Sequence, residues 1–178
     1  MGPCPTPPDV KKDHDVAKYT GLWYEFYQPK EFQYRSEREC ASRVYLAPSN
    51  STEGPQNTFI SYTNVQDIVG NKTYAINRVQ TCEQGACKYG NSPWYENNYY
   101  YVLRSNHYAY SIVWTCSSLA GLRHEEHLWV ITREKFPSKF HRLEIKKNLE
   151  ELGYSKKTHL KKGRLYQCWG EDPPPTDG

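Results

Sequence analysis

Lys18-Tyr19-Thr20-Gly21-Leu22-Trp23-Tyr24-Glu25 marks the point where this chain changes character. Up to Gly21, residues 1–20 are largely polar, carry prolines at 3, 5, 7 and 8, and read as an extended arm. After it come short β-branched and aromatic runs: Leu22–Tyr27, Cys40–Leu46, Thr58–Val65, Thr73–Gln80, Ala86–Tyr89, Tyr99–Arg104, Tyr108–Cys116 and His127–Arg133. Turn clusters such as Pro48-Ser49-Asn50 and the stretch from Asp67 to Lys72 separate them at the spacing of an antiparallel meander or barrel. One helix follows over 138–152, with Ser138 as its cap after Pro137 and Gly153 as its stop. Phe140, Leu143, Leu149 and Leu152 are its expected apolar side. A last extended piece, Arg164–Cys168, leads to a Pro-rich tail over 169–178 that reads as disordered. The pattern predicts an all-β protein: an eight-stranded antiparallel up-and-down barrel over 21–168, one helix packed outside it and a short final strand. A barrel of that size has room inside for one small ligand.

At 178 residues the chain is long enough for one domain that encloses a cavity as well as a core. Only 37% of it is hydrophobic, even with 16 tyrosines counted, so disulfides and amphipathic aromatics must help to hold it together. A formal charge of +3 is too small to imply a nucleic-acid partner. The basic residues gather between Arg133 and Arg164, as a solvated helix face explains. No stretch is long and apolar enough for a membrane span.

The cysteines stand at 4, 40, 82, 87, 116 and 168, an even set without metal-type spacing, which points to an oxidising compartment. Cys82 and Cys87 lack the second close pair that would complete a zinc site, so no metal is expected from spacing. Asn50-Ser51-Thr52 and Asn71-Lys72-Thr73 are glycosylation sequons in polar turns, whereas Asn91-Ser92-Pro93 is not one. Met1-Gly2-Pro3-Cys4 has no apolar stretch behind it. The chain therefore reads as the mature form of a secreted, extracellular glycoprotein with a non-native start.

Three ordered motifs carry a family resemblance. Gly21-Leu22-Trp23 looks like the Gly-x-Trp on the first strand of the lipocalins. Ser105-Asn106-His107 stands where that family usually has Thr-Asp-Tyr, with Tyr110 and Val113 following. Arg133, at the end of Trp129-Val130-Ile131-Thr132-Arg133, takes the place of the third motif's arginine. The resemblance spans nearly the whole chain and departs from the family at 105–107. It implies that Trp23 and Arg133 close the narrow end of the barrel through a cation–π contact, on the order of 1–2 kcal/mol. The opening Cys4-Pro5-x-Pro7 with Asp13-x-Asp15 ahead of Tyr19 is similar to the branch of apolipoprotein D and the insect bilin-binding proteins. By that analogy Cys4 pairs with Cys116 and Cys40 with Cys168, which leaves Cys82–Cys87 as an added clip across one hairpin. Each long pairing would contribute a few kcal/mol by loop closure.

Alternation along strands sorts side chains into two faces. If Arg133 reaches beneath the barrel, Ile131, Trp129 and His127 face inward. Cys116 must point outward to meet the arm, which sends Val113 and Thr115 inside and sets Ile112 and Trp114 outside, under the helix with Leu128 and Val130. The resemblance favours Tyr100 and Val102 inside; the opposite register would admit Tyr99 and Tyr101. His127 is the sharpest candidate for a ligand's polar end, and equally a histidine satisfied by a tyrosine or Glu125. The Pro29–Glu39 loop with Phe32 and Tyr34 lies over the open mouth by family analogy, as a gate or as an ordinary surface loop.

The resemblance implies a carrier or sequestering protein for a small lipophilic molecule. Fatty acids, steroids, biliverdin-like tetrapyrroles and carotenoid chromophores all suit such a barrel, and no cofactor is required. A protein-binding scaffold that uses the outer loops is the second reading, and homo-oligomer formation is left open. Enzyme activity is not expected. If all six cysteines are paired, no thiol nucleophile remains, and His124, Glu125, Glu126 and His127 alternate faces on one strand. Thiol titration of the denatured, unreduced protein should accordingly find no free cysteine; one reactive thiol per chain would reopen the enzyme reading.

Overall fold

The computed structural model describes residues 2–30, 39–47, 58–67, 73–89, 96–119, 121–163 and 165. Its strands are β1 (Gly21–Pro29), β2 (Glu39–Leu46), β3 (Thr58–Asp67), β4 (Thr73–Glu83), β5 (Ala86–Tyr89), β6 (Glu96–Ser105), β7 (Tyr110–Leu119), β8 (Arg123–Thr132) and β9 (Leu160–Lys162). The helices are α1 (Val16–Tyr19), α2 (Lys139–Glu151) and α3 (Lys156–His159). Strands β1 to β8 pair antiparallel in sequence order, and β1 pairs with both β8 and β2, which closes the barrel. β9 lies outside the ring and pairs with the far end of β1 through Tyr27, Gln28 and Pro29.

Two cores follow from the strand alternation. Trp23, Tyr45, Phe59, Tyr100, Val102, Val113, Trp129 and Ile131 form one buried cluster inside the barrel. Leu103, Ile112, Trp114, Leu128 and Val130 point the other way and meet Ile145 and Leu149 of α2. Tyr100 and Val102 are thus the inward pair on β6, while Tyr99 and Tyr101 face out with their rings stacked at 5.4 Å.

The helix starts where expected, with the Ser138 hydroxyl accepting from the His141 amide. It ends on Gly153, whose φ of +79° lets the chain turn off while the Tyr154 amide reaches the Leu149 carbonyl. Its buried face differs from the predicted one. Ile145 and Leu149 are buried, whereas Phe140 and Leu143 are 66% and 57% exposed. At about 100° per residue, Leu149 and Leu152 stay within about 40° of Ile145, while Leu143 falls about 160° away. The wall facing the helix selects the Ile145 side.

The arm also departs from an extended reading. One helical turn, α1, is capped by the Asp15 side chain at the Lys18 amide, and it delivers Tyr19 beneath the barrel. Further back, the Lys11 amide bonds to the Val102 carbonyl at 2.8 Å, and Cys4 is disulfide-bonded to Cys116. The arm crosses so close to the β4–β5 turn that a Cβ on Gly85 would lie 2.5 Å from the Lys11 carbonyl oxygen. Among the described residues the last strand is Leu160–Lys162, which follows the unpredicted α3. Positions 164 and 166–168 lie outside the described residues, as does the 169–178 tail.

Arg133 follows the last residue of β8 and sits 3.8 Å above the centre of the Trp23 ring. Its three nitrogens donate to the carbonyls of Lys18, Leu22 and His107, at 2.8, 3.1 and 3.1 Å. One guanidinium thereby joins the arm, β1 and the β6–β7 turn. Gly21 leaves room for it: φ is +103°, and a Cβ there would stand 3.0 Å from an Arg133 nitrogen. A lysine keeps the charge but cannot present this planar fork. Arg133→Lys should therefore lower unfolding free energy in urea by about 1–3 kcal/mol, whereas an unchanged midpoint and slope would show that the closure contributes nothing.

Candidate functional site

The floor of the barrel is built from tyrosines. The Tyr100 hydroxyl bonds to those of Tyr19 at 2.7 Å and Tyr45 at 2.9 Å, and Tyr19 donates to the Ser111 hydroxyl at 3.2 Å. The Trp23 indole N–H donates to the Tyr19 carbonyl at 2.8 Å. Burial pushes the pKa of both Tyr19 and Tyr100 well above the ordinary phenol value, so they remain neutral hydroxyls. α1 places Tyr19, and β2 and β6 place the other two.

Above this layer lies a charged pair. Strand alternation from Trp23 turns Glu25 inward, and Arg43 stands directly opposite Trp23 across β1 and β2. The Arg43 Nε donates to Glu25 Oε1 at 2.8 Å. Glu25 is 0% exposed. The Arg43 guanidinium also covers the rings of Trp129 and Tyr100, at 5.1 and 5.9 Å from their centres. Such a stack suits a buried arginine, because its face is weakly hydrated and its edge still bonds to the carboxylate.

Exposure then rises along the inward columns of β7 and β8. Ser111 and Val113 are buried, and Thr115 and Ser117 beyond them are half-buried. Ile131 and Trp129 are buried, and His127 and Glu125 are half-buried. The barrel is therefore sealed at the Trp23–Arg133 end and opens toward the start of β8. His127 sits on this open half, edge-on to Trp129 at 5.5 Å, with Glu125 Oε2 3.9 Å from its Nε2. Burial lowers its pKa and Glu125 pulls it partly back, so the ring is neutral at pH 7. His124 pairs instead with Glu126 on the outer face, at 3.1 Å. The four adjacent residues split two and two, as strand alternation requires. A groove of about 700 Å³ joins the start of β8 to the segment after α2; it is lined in part by Trp114, His124, Leu128 and Tyr154 and takes in Glu125 and His127 as well.

The fold thus brings Tyr100, Val102, Val113, Trp129, Ile131 and His127 to one interior. Phe32 and Tyr34 lie outside the described residues, and so do Asn50 and Asn71. Cys82 is bonded to Cys87 within the barrel. Cys40 is disulfide-bonded, and its expected partner Cys168 lies outside the described residues. Sequence reasoning missed Glu25, Arg43, Tyr19 and Tyr45. For Glu25 the signal was present, since it has the same parity as Trp23 on one strand. Arg43 required the β1–β2 register.

Removing one member of such a pair leaves the other charge buried, at a cost of about 3–5 kcal/mol. Arg43→Met should show that loss in urea denaturation, and adding Glu25→Gln to it should restore most of the stability. A single variant as stable as the parent would mean the pair is solvated.

No protein-family model matches the chain. Rabbit (Oryctolagus cuniculus) apolipoprotein D is 26% identical over 137 residues, covering 76% of this chain and 69% of that protein. Bovine (Bos taurus) apolipoprotein D is 28% identical over 137 residues, with the same coverage. Among solved structures, the cockroach allergen Per a 4 superposes with a TM-score of 0.72 at 15% identity, covering 90% of this chain and 95% of that one. Insecticyanin from the tobacco hornworm Manduca sexta gives 0.69 at 13% identity, covering 91% and 86%. Lobster apocrustacyanin A1 gives 0.59 at 14%, covering 89% and 91%. The chain is similar in sequence to apolipoprotein D and has the lipocalin fold.

Proposed function

Starting from a lipocalin barrel that resembles apolipoprotein D, we propose that this protein is a secreted, non-enzymatic carrier or sequestering agent for a small lipophilic ligand with a polar end. The observation that carries the reading is the graded burial of the inward columns, closed below Glu25–Arg43 and half-exposed from Thr115 and His127 outward. A ligand entering from the open half meets Trp129, Val113 and Tyr100 as apolar walls. The base it reaches carries hydroxyls and a guanidinium–carboxylate pair. Such a surface suits an amphiphile better than a hydrocarbon, because a purely apolar end would strip water from Arg43 and return no hydrogen bond.

A conjugated pigment of the biliverdin or carotenoid type is one ligand class that fits this reading, supported by the shared fold of an insecticyanin and a crustacyanin apoprotein. A fatty acid or steroid is the other. The scaffold reading would call for an interior filled to the mouth, and the half-exposed His127 and Thr115 favour the carrier.

Titration of the delipidated protein separates the classes. Biliverdin is read by its visible absorption, and palmitate by its displacement of a fluorescent anilinonaphthalene sulfonate probe. Saturable one-to-one binding of either is expected, with tryptophan emission quenched. Thr115→Trp, which fills the open half from the wall, should weaken that binding at least tenfold while circular dichroism stays unchanged. Failure of both classes to bind, or full binding by the Thr115 variant, would remove the carrier reading.

A further inference from the structure

The arm carries one polar side chain that the floor of the barrel leaves idle. The His14 ring packs edge-on to Tyr19 at 4.8 Å and stacks on His107 at 5.6 Å. Both of its ring nitrogens are shut off from solvent, and among the described residues neither has a hydrogen-bond partner. Buried polar atoms without partners are uncommon and forfeit about 1–3 kcal/mol each, so a histidine with two of them calls for a reason. Sulfur lies beside it: a ring nitrogen of His14 and the Sγ atoms of Cys82 and Cys87 all lie within 4.8 Å of one another.

We propose that opening the Cys82–Cys87 bond turns these two sulfurs and His14 into a binding site for a thiophilic d¹⁰ cation such as Zn²⁺. Cysteine spacing alone shows no such site, because the third donor comes from the arm rather than from a second cysteine pair. Cys82 and Cys87 face each other directly across β4 and β5, so their sulfurs can part by side-chain rotation without moving the strands. Sulfur and nitrogen donors around tetrahedral zinc stand about 3.5–3.8 Å apart, inside the spread that the side chains already have. Two thiolates, one neutral imidazole and Zn²⁺ sum to zero charge, the state that a buried site tolerates best. The chain supplies three ligands and a water completes the tetrahedron. The metal would tie the arm to the β4–β5 hairpin, a link that the disulfide itself does not make.

The reductive step balances with a phosphine. Phosphorus gives up two electrons and keeps the oxygen of one water, whose two protons go to the sulfurs, leaving two thiols and a phosphine oxide. Each thiol then releases its proton as it bonds to zinc, and the imidazole contributes a lone pair.

The test refolds the full chain from denaturant with a phosphine present, with and without one equivalent of Zn²⁺. Native mass spectrometry counts the metal, alkylation maps the thiols, and circular dichroism follows the fold. One zinc per folded chain is expected, with affinity at least tenfold weaker in His14→Phe and no zinc retained in Cys82→Ser/Cys87→Ser. Co²⁺ in place of zinc should show thiolate charge-transfer absorption that the double variant lacks. Equal zinc affinity in His14→Phe would overturn the site, because it would place the metal on cysteines alone. So would a reduced chain that stays unfolded with zinc, or one that folds and takes none. The oxidised protein, whose sulfurs are bonded to each other, should take no zinc here.

Discussion

One guanidinium holds the closed end of this barrel together. Arg133 lies on the Trp23 ring and donates to three carbonyls from separate parts of the chain, those of Lys18, Leu22 and His107. A helix-capping carboxylate or a surface lysine satisfies one segment; this fork satisfies three. Because the donors are partly withdrawn from water, each bond is worth more than it would be on an open surface. Gly21 is part of the same arrangement, since its φ of +103° and its missing Cβ let the arginine close in.

The arm depends on that closure. With the Lys18 carbonyl held by Arg133, α1 delivers Tyr19 into the floor, where its hydroxyl meets Tyr100 and Ser111. Farther back, the Lys11–Val102 hydrogen bond and the Cys4–Cys116 disulfide fix the arm along the outside of β6 and β7. An arm of low hydrophobicity would not stay down by apolar burial alone. It is retained by backbone hydrogen bonds and a covalent tie, which together offset the entropy of ordering it.

The interior is less apolar than a simple lipid cup. Its lower half combines hydroxyls with the buried Glu25–Arg43 pair, and the stack of Arg43 on Trp129 merges the charged layer with the aromatic wall. This pair has a structural consequence apart from any ligand. An alternative register of β1 against β2 would separate these two buried opposite charges and is penalised accordingly. The hydroxyl layer beneath acts similarly, since Tyr19, Tyr45 and Tyr100 reach one another only when three separate strands and turns are correctly placed.

Much of this was legible in the chain, because strand alternation has a period of two and leaves a trace in every run of residues. That rule places Ile131, Trp129 and His127 on one face and Leu128 and Val130 on the other, and the two cores obey it. Ser138 and Gly153 bounded the helix because capping is a local matter of one side chain and one backbone angle. Three things needed the tertiary structure. Which side of α2 is buried was set by the wall it meets, so Ile145 was selected and Phe140 left exposed. The partnership of Glu25 with Arg43 depends on the β1–β2 register, a long-range quantity. The approach of His14 to Cys82 and Cys87 exists only because the arm crosses the hairpin turn, and no residue spacing encodes a crossing.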